Sequence, residues 1–259
     1  MSGWQWAVAG AIALSIGTGI AIALEEILWM RRRDRFNRTA LREMLVSLSP
    51  LPPTIVVSIA LSGWWLLVYS TVSRFALVQF PSSLLALIPG VLLADLCYYL
   101  EHRSAHRLGM LWRLYHAVHH SSPHYTVATA YRVSFVNQFV APLFYLPCVL
   151  LGLEPLLVLS LQVLTIHYQA WVHTRVIGRL PWLDAVFNTP ANHRMHHDIR
   201  LSGRGVNFGG ILVIWDRLFG TYAPPRPVRG FGIAGSPAPR RWHELYTAPF
   251  ARPRSGVVD

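Results

Sequence analysis

Histidine dominates the chemistry open to this chain. Its 12 histidines include a pair four apart, His102 and His106, and two H-x-x-H-H runs, His116/His119/His120 and His193/His196/His197. On a helix, residues three and four apart share a face, so each group aims two or three imidazoles at one place. Neutral imidazole is the commonest metal-ligating side chain near neutral pH and suits zinc, copper, iron and nickel. A tetrahedral ion takes about four ligands, fewer than these groups offer. The spacing predicts two metal ions held mostly by histidine, with His173 completing the set.

The remaining histidines fit other roles. His167 lies deeper in an apolar helix, as a hydrogen-bonded core residue. His243 sits in the polar tail. His124 follows a Ser-Ser-Pro turn, within reach of the cluster but outside its pattern. Haem would use only one or two of the nine candidates. A zinc protease would show H-E-x-x-H, yet Ala-Val and Arg-Met stand between the paired histidines here. There is no nucleophile elbow, Gly-rich phosphate loop or cysteine metal motif.

The elements that carry these histidines are apolar. The chain is 53% hydrophobic and only 14% charged, with a mean hydropathy of +0.36, whereas a soluble domain is about 25% charged. The formal net charge is +11, and every basic residue is arginine. Those arginines flank apolar segments, which points to an anionic membrane face and not to nucleic acid. Cys97 and Cys148 lie inside apolar segments and read as packing residues, not as a disulfide.

Trp4 to Leu24 is long enough to cross a bilayer core, which needs about 20 apolar residues. It lacks a cleavage site, so it reads as a retained span and not a signal peptide. The run Arg31 to Arg42 belongs in the cytoplasm by the positive-inside rule. Pro50, Pro52 and Pro53 open a second span to about Val72, with Trp64, Trp65 and Tyr69 as an aromatic belt. A third runs from Ser82 to about Leu100. It contains Asp95, a carboxylate costly at membrane depth. His102 lies two turns further along the same face, so Asp95 is a candidate to accept a hydrogen bond from a ligand histidine. A carboxylate solvated near the interface, or capping something polar, is the alternative.

Phe139–Leu151 and Leu156–Val172 form an apolar hairpin about a Gly-Leu-Glu-Pro turn. The expected fold is all-α: an integral-membrane bundle of about three spans plus this hairpin, with a cytoplasmic histidine-rich helical cap. That topology leaves every histidine group on one face. Ile211 to Phe219 reads as a short amphipathic cap within a loop rich in glycine (Gly203, Gly205, Gly209, Gly210). From Pro224 the tail reads as irregular surface. Residues 1–80 form an N-terminal membrane region, 81–225 the catalytic unit and 226–259 the tail.

His102-x-x-x-His106, His116-x-x-His119-His120 and His193-x-x-His196-His197 together resemble the fatty acid hydroxylase/sterol desaturase superfamily of membrane di-iron enzymes. DLCYYLEHR from Asp95, HHSSP from His119, WVHT from Trp171, FNTPANHRMHH from Phe187 and NFGGILVIWDRLFGTY from Asn207 agree with it. The resemblance covers roughly residues 85 to 222. It implies two iron ions, with zinc as a substitute in purified protein, O2 as co-substrate and a lipid substrate. Its metal ligands would be His102, His106, His116, His119, His120, His173, His193, His196 and His197. Some members carry a histidine where this chain has Gln169. Gln169, Asn207 and Asp95 are the candidate supports around the ligands.

No cytochrome b5-like domain is fused, so electrons would come from a ferredoxin-, cytochrome- or reductase-type partner. A bacterial-type inner-membrane enzyme is expected, with its site at the cytoplasmic interface. There Arg103, Arg107, Arg113 and Arg132 are candidates for binding a lipid headgroup. Hydroxylation and desaturation both remain open. So do a histidine-rich metal-binding or transport protein and a zinc-dependent lipid hydrolase.

Overall fold

A computed structural model describes residues 2–81, 83–201 and 205–247 of the chain. Ser82, Gly203 and the end of the tail lie outside the described residues. Helix α1 spans Gly3–Arg32, α2 Arg38–Leu48, α3 Leu51–Val72 and α4 Leu87–Arg107. Three later helices bear on the site: α5, Pro155–Val172; α6, Pro190–His196; and α7, Ile214–Leu218. No strand occurs among the described residues; Phe187 and Leu212 form an isolated bridge.

Local chemistry sets the helix starts. The Gln5 side chain accepts from the Ser2 amide at 2.6 Å, and Asn37 accepts from the Ala40 amide at 3.0 Å. Such contacts satisfy the orphan amides of a first turn. Proline stands in the first turn of α3, α5 and α6, where its missing N–H costs nothing. On α1 and α3 the apolar side chains Leu14, Ile20, Val56 and Ile59 point outward, each more than half exposed. In water such a surface is a liability; in hydrocarbon it is the required solvent face.

Among the described residues, four helical segments are long and apolar enough to cross a membrane: Gly3–Arg32, Arg38–Phe75, Leu84–Arg107 and Pro155–Val172. The expected hairpin is therefore asymmetric. Its outgoing arm is a full-length span. Its incoming arm, Asn137–Leu150, is short and changes between α and 3₁₀ geometry around Pro142 and Pro147. The turn between the arms uses Gly152 at φ 98°, where a Cβ would lie 2.1 Å from the Val78 carbonyl oxygen. Trp65, Tyr69, Ala94, Cys97, Cys148, Val149, Leu157 and Leu161 fill the core between the arms, α3 and α4. The two cysteines are free thiols 3.4 Å apart.

The ends of the long helices meet at one level. Glu26, near the end of α1, accepts from the Val127 amide at 2.8 Å and the Thr174 hydroxyl at 3.0 Å. Thr54, in the first turns of α3, donates to the Val133 carbonyl. α4 ends on His106 and Arg107, and α5 ends one residue before His173. Every ligand candidate thus sits where the membrane helices give way to short helices and loops. The tail is less superficial than its composition suggests. Ile233 and Leu245 are buried with Val46, Trp112, Ala117 and Val118.

Candidate metal centre

The predicted histidines come together. The Nε2 atoms of His102 and His196 are 3.0 Å apart, and those of His196 and His120 also 3.0 Å. His106 lies 3.1 Å from His120 and 2.9 Å from His116. In a second set, His173 lies 3.1 Å from His119, 3.2 Å from His197 and 3.0 Å from His193, again through Nε2. The candidate ligand atoms form two groups, His102/His106/His116/His120/His196 and His119/His173/His193/His197, each within 4.8 Å. His124, His167 and His243 belong to neither.

Two observations test whether this arrangement fits metal ions. A metal–imidazole bond is about 2.1 Å, so two ligands at right angles on one ion stand about 3.0 Å apart. The Nε2 separations lie near that value. The tautomers agree as well. Nδ1–H of His102 donates to the Phe208 carbonyl at 3.0 Å, that of His196 to Val206 at 2.7 Å, and that of His173 to Gln169 at 2.6 Å. A proton held on Nδ1 leaves the Nε2 lone pair pointing inward, as a ligand histidine requires.

Burial reinforces the neutral form. His116, His119, His120, His193, His196 and His197 are held well below the usual imidazole range, first by desolvation and then by the neighbouring rings. His173 is pushed down to about 4, mainly by burial. Rings that resist protonation keep their lone pairs free for an ion.

Short helices and loops aim these rings. His116 closes a π-helical turn, Trp112–His116, which runs into Ala117–His120; such turns concentrate at functional sites. Thr189 caps α6 through the Asn192 amide, and Pro190 follows it, which fixes the start of the helix bearing His193 and His196. Tyr125 lies against His173 and His197 with centroids 5.5 and 5.1 Å away.

The supports differ from the expected ones in an instructive way. Asp95 does not reach a histidine. It accepts from the amides of Ile211 and Leu212 at 2.6 and 3.0 Å and from the Trp215 indole at 3.0 Å. It thereby clamps the loop that supplies the Phe208 and Val206 carbonyls. The two-turn spacing overlooked backbone donors arriving from a distant loop. Asn207 also acts on that loop: its amide group bonds Asn192 and Ala223, and its backbone sits at φ 53°, between the two accepting carbonyls. Gln169 gives its backbone carbonyl to His173, while its side chain donates to Gly210 at 2.9 Å.

Asp216 is a support the sequence reading missed. It accepts from the Phe208 and Gly209 amides and the Thr221 hydroxyl. Its place in an apolar run was the available signal. The loop also needs its glycines: a Cβ on Gly210 would come within 2.7 Å of an Asp95 oxygen, and one on Gly209 within 2.0 Å of the Leu212 carbonyl.

Arg132 is not available to a headgroup. It is fully buried and donates to Glu43 at 2.6 Å, and to Ser47, Ser121 and the Val118 carbonyl. It ties the helix bearing His119 and His120 to α2. Arg103 lies over the rings of Tyr99 and Phe219.

Beside the histidines lies a cavity. Its wall includes Leu51, Thr54, Tyr98, Tyr131, Val133 and Ile166, and at its inner end His102, His116, His119 and His173. Ile166, 55% exposed on the outer face of α5, forms part of its edge.

Comparison with known proteins follows the same residues. Residues 87–221 match the family model described as Fatty acid hydroxylase. The alkylglycerol monooxygenase of Danio rerio is 43% identical over 130 residues, covering 50% of this chain and 29% of that protein. An ornithine lipid hydroxylase of Rhizobium tropici is 37% identical over 166 residues, 63% of this chain and 50% of the relative. The cholesterol 25-hydroxylase of Homo sapiens is 29% identical over 143 residues, 51% and 48%. The chain thus spans half or less of the length of these relatives. No solved structure matches it.

Proposed function

This chain belongs to the fatty acid hydroxylase family, and on that premise we propose that it is an integral-membrane di-iron enzyme that uses O2 to oxidise a C–H bond of a lipid. The observation that carries the reading is the pair of inward-facing imidazole groups at the end of a largely apolar cavity. His102, His106, His116, His120 and His196 would hold one ion; His119, His173, His193 and His197 the other. A pair of bound iron ions would supply the electron transfer and oxygen activation that no side chain provides.

The remaining work falls to the protein. The carbonyls of Phe208, Val206 and Gln169 hold three rings in the ligating tautomer. Asp95, Asp216 and Asn207 hold the loop that bears two of those carbonyls. The cavity admits the hydrocarbon from the side of α5 and keeps bulk water from the reacting carbon. Relatives named for alkylglycerol, ornithine lipid and cholesterol support a membrane lipid as substrate. Electrons come from a separate redox partner.

The arginine run from Arg31 supports a cytoplasmic position for the histidine face, and the similarity to a Rhizobium lipid hydroxylase supports a bacterial membrane as its location. A transporter would place its ligands near the bilayer midplane, whereas these rings gather at helix ends. Lipid profiling with and without the gene tests the reading. A gene-dependent lipid carrying one more oxygen marks hydroxylation, and one lacking two hydrogens marks desaturation. An unchanged lipid profile in cells making iron-loaded protein would overturn it.

A further inference from the structure

The cavity is apolar over much of its wall, but that wall also carries acceptors that the protein leaves unpaired. Glu101 precedes His102, is only 6% exposed and lines the cavity. One of its oxygens accepts the Tyr115 hydroxyl at 2.6 Å; the other has no hydrogen-bond partner among the described residues. Glu101 belongs to neither nitrogen group. Gln169, 7% exposed, lines the same cavity. Its side-chain nitrogen is committed to the Gly210 carbonyl, so the amide cannot turn over, and Oε1 is left buried without a donor. Asn137 Oδ1, on the same wall, is likewise unpartnered.

Leaving buried acceptors such as Gln169 Oε1 and Asn137 Oδ1 unpaired is costly. Among the described residues Glu101 holds no loop and caps no helix, and Tyr115 is its one hydrogen-bonded partner. An alkyl chain entering the cavity would leave these oxygens bare. A group with O–H or N–H hydrogens would satisfy them.

We propose that Glu101 and Gln169 form a polar subsite for a hydrogen-bond-donating group of the substrate, a hydroxyl or an amine, so that oxidation falls a few bonds from the lipid headgroup and not far along a tail. The inference rests on reading the histidine centre as a lipid oxygenase. Glu101 and His102 are chain neighbours on the same wall, so a donor held by the carboxylate brings its attached carbons beside the ligand rings. The subsite binds and orients; no bond is made or broken at it.

Binding of paired probes to the full-length protein in nanodiscs tests this, with and without metal. The probes are a 1-O-alkylglycerol, bearing two hydroxyls, and its di-O-methyl ether, which keeps the shape and lacks the donors. Wild type should prefer the hydroxyl form by about tenfold, the worth of one or two hydrogen bonds. Glu101→Leu should erase the preference while keeping its metal content and its affinity for the methyl ether. Glu101→Gln, closer in shape, should keep a reduced preference and guards against misfolding of the Leu variant.

Equal binding of the two probes by wild type, or an unchanged preference in both variants, overturns the subsite. Failure of the underlying reading looks different. Gene-dependent oxidation without probe discrimination sinks the subsite alone. Discrimination lost in Glu101→Leu, in a protein that oxidises no lipid, keeps the binding site and sinks the oxygenase.

Discussion

Asp95→Asn separates support of the loop from ligation itself. The carboxylate of Asp95 accepts three N–H groups, from Ile211, Leu212 and the Trp215 indole, and is fully buried. The amide has nearly the same shape, but its nitrogen is a donor and must face at least one of those N–H groups. Each hydrogen bond to a charged group contributes about 1.5–3 kcal/mol, so losing one or two costs about 1.5–6 kcal/mol. The strain falls on the loop that carries the Phe208 and Val206 carbonyls, the acceptors for His102 and His196. Loss of such supporting hydrogen bonds weakens metal binding by about 10–100-fold.

The assay is chelator competition on detergent-solubilised protein, alongside thermal unfolding. Leu157→Ala is the control. It opens a hole in the core of α5, costs about 2–5 kcal/mol and leaves the loop alone. It should lower the unfolding temperature as Asp95→Asn does, yet leave the metal affinity near that of wild type. If Asp95→Asn holds metal as tightly as wild type, or if Leu157→Ala loses it equally, the loop does not position the ligands.

Gly210→Ala should act on the same loop by steric means, since the new Cβ meets Asp95, Tyr98 and Thr165 at 2.7–2.9 Å; titration should show weaker metal binding, and unchanged affinity would count against the close approach. Arg132→Ala leaves Glu43 buried without its cation, at a cost of about 3–5 kcal/mol, and should shift chemical unfolding accordingly; a shift below about 1 kcal/mol would contradict the ion pair. In metal-stripped protein, acid should destabilise the fold. The unfolded chain protonates near pH 6.5 while His173 holds off until about pH 4. Stability is therefore level above pH 6.5 and falls between the two values, by roughly 3 kcal/mol for His173 alone. Unfolding midpoints at pH 7.5 and pH 5 measure this, and a rise on acidification would contradict it.

Much of this architecture was readable because it rests on local pattern. Apolar runs of membrane length and the arginine run marked the spans. The three- and four-residue spacing placed His116 with His120 and His193 with His196 on common helix faces. The partition of the rings was not readable in the same way. His119 and His120 are adjacent in sequence but join different groups, and His196 joins rings from α4 while His197 joins His173. That division depends on how α4, α5 and α6 converge. Long-range partners were equally hidden. Asp95 pairs across more than a hundred residues with backbone amides, which leave no mark in composition. Arg132 looked like a membrane-facing cation until its carboxylate partner on α2 was in view.

Metal analysis of chains expressed with ample iron tests the central claim most directly. The account predicts two ions per wild-type chain. In His196→Ala the group containing His102 should be depleted, and in His119→Ala the group containing His173, each with the fold retained. One ion or none in a folded wild-type chain, or full occupancy in both variants, would contradict it.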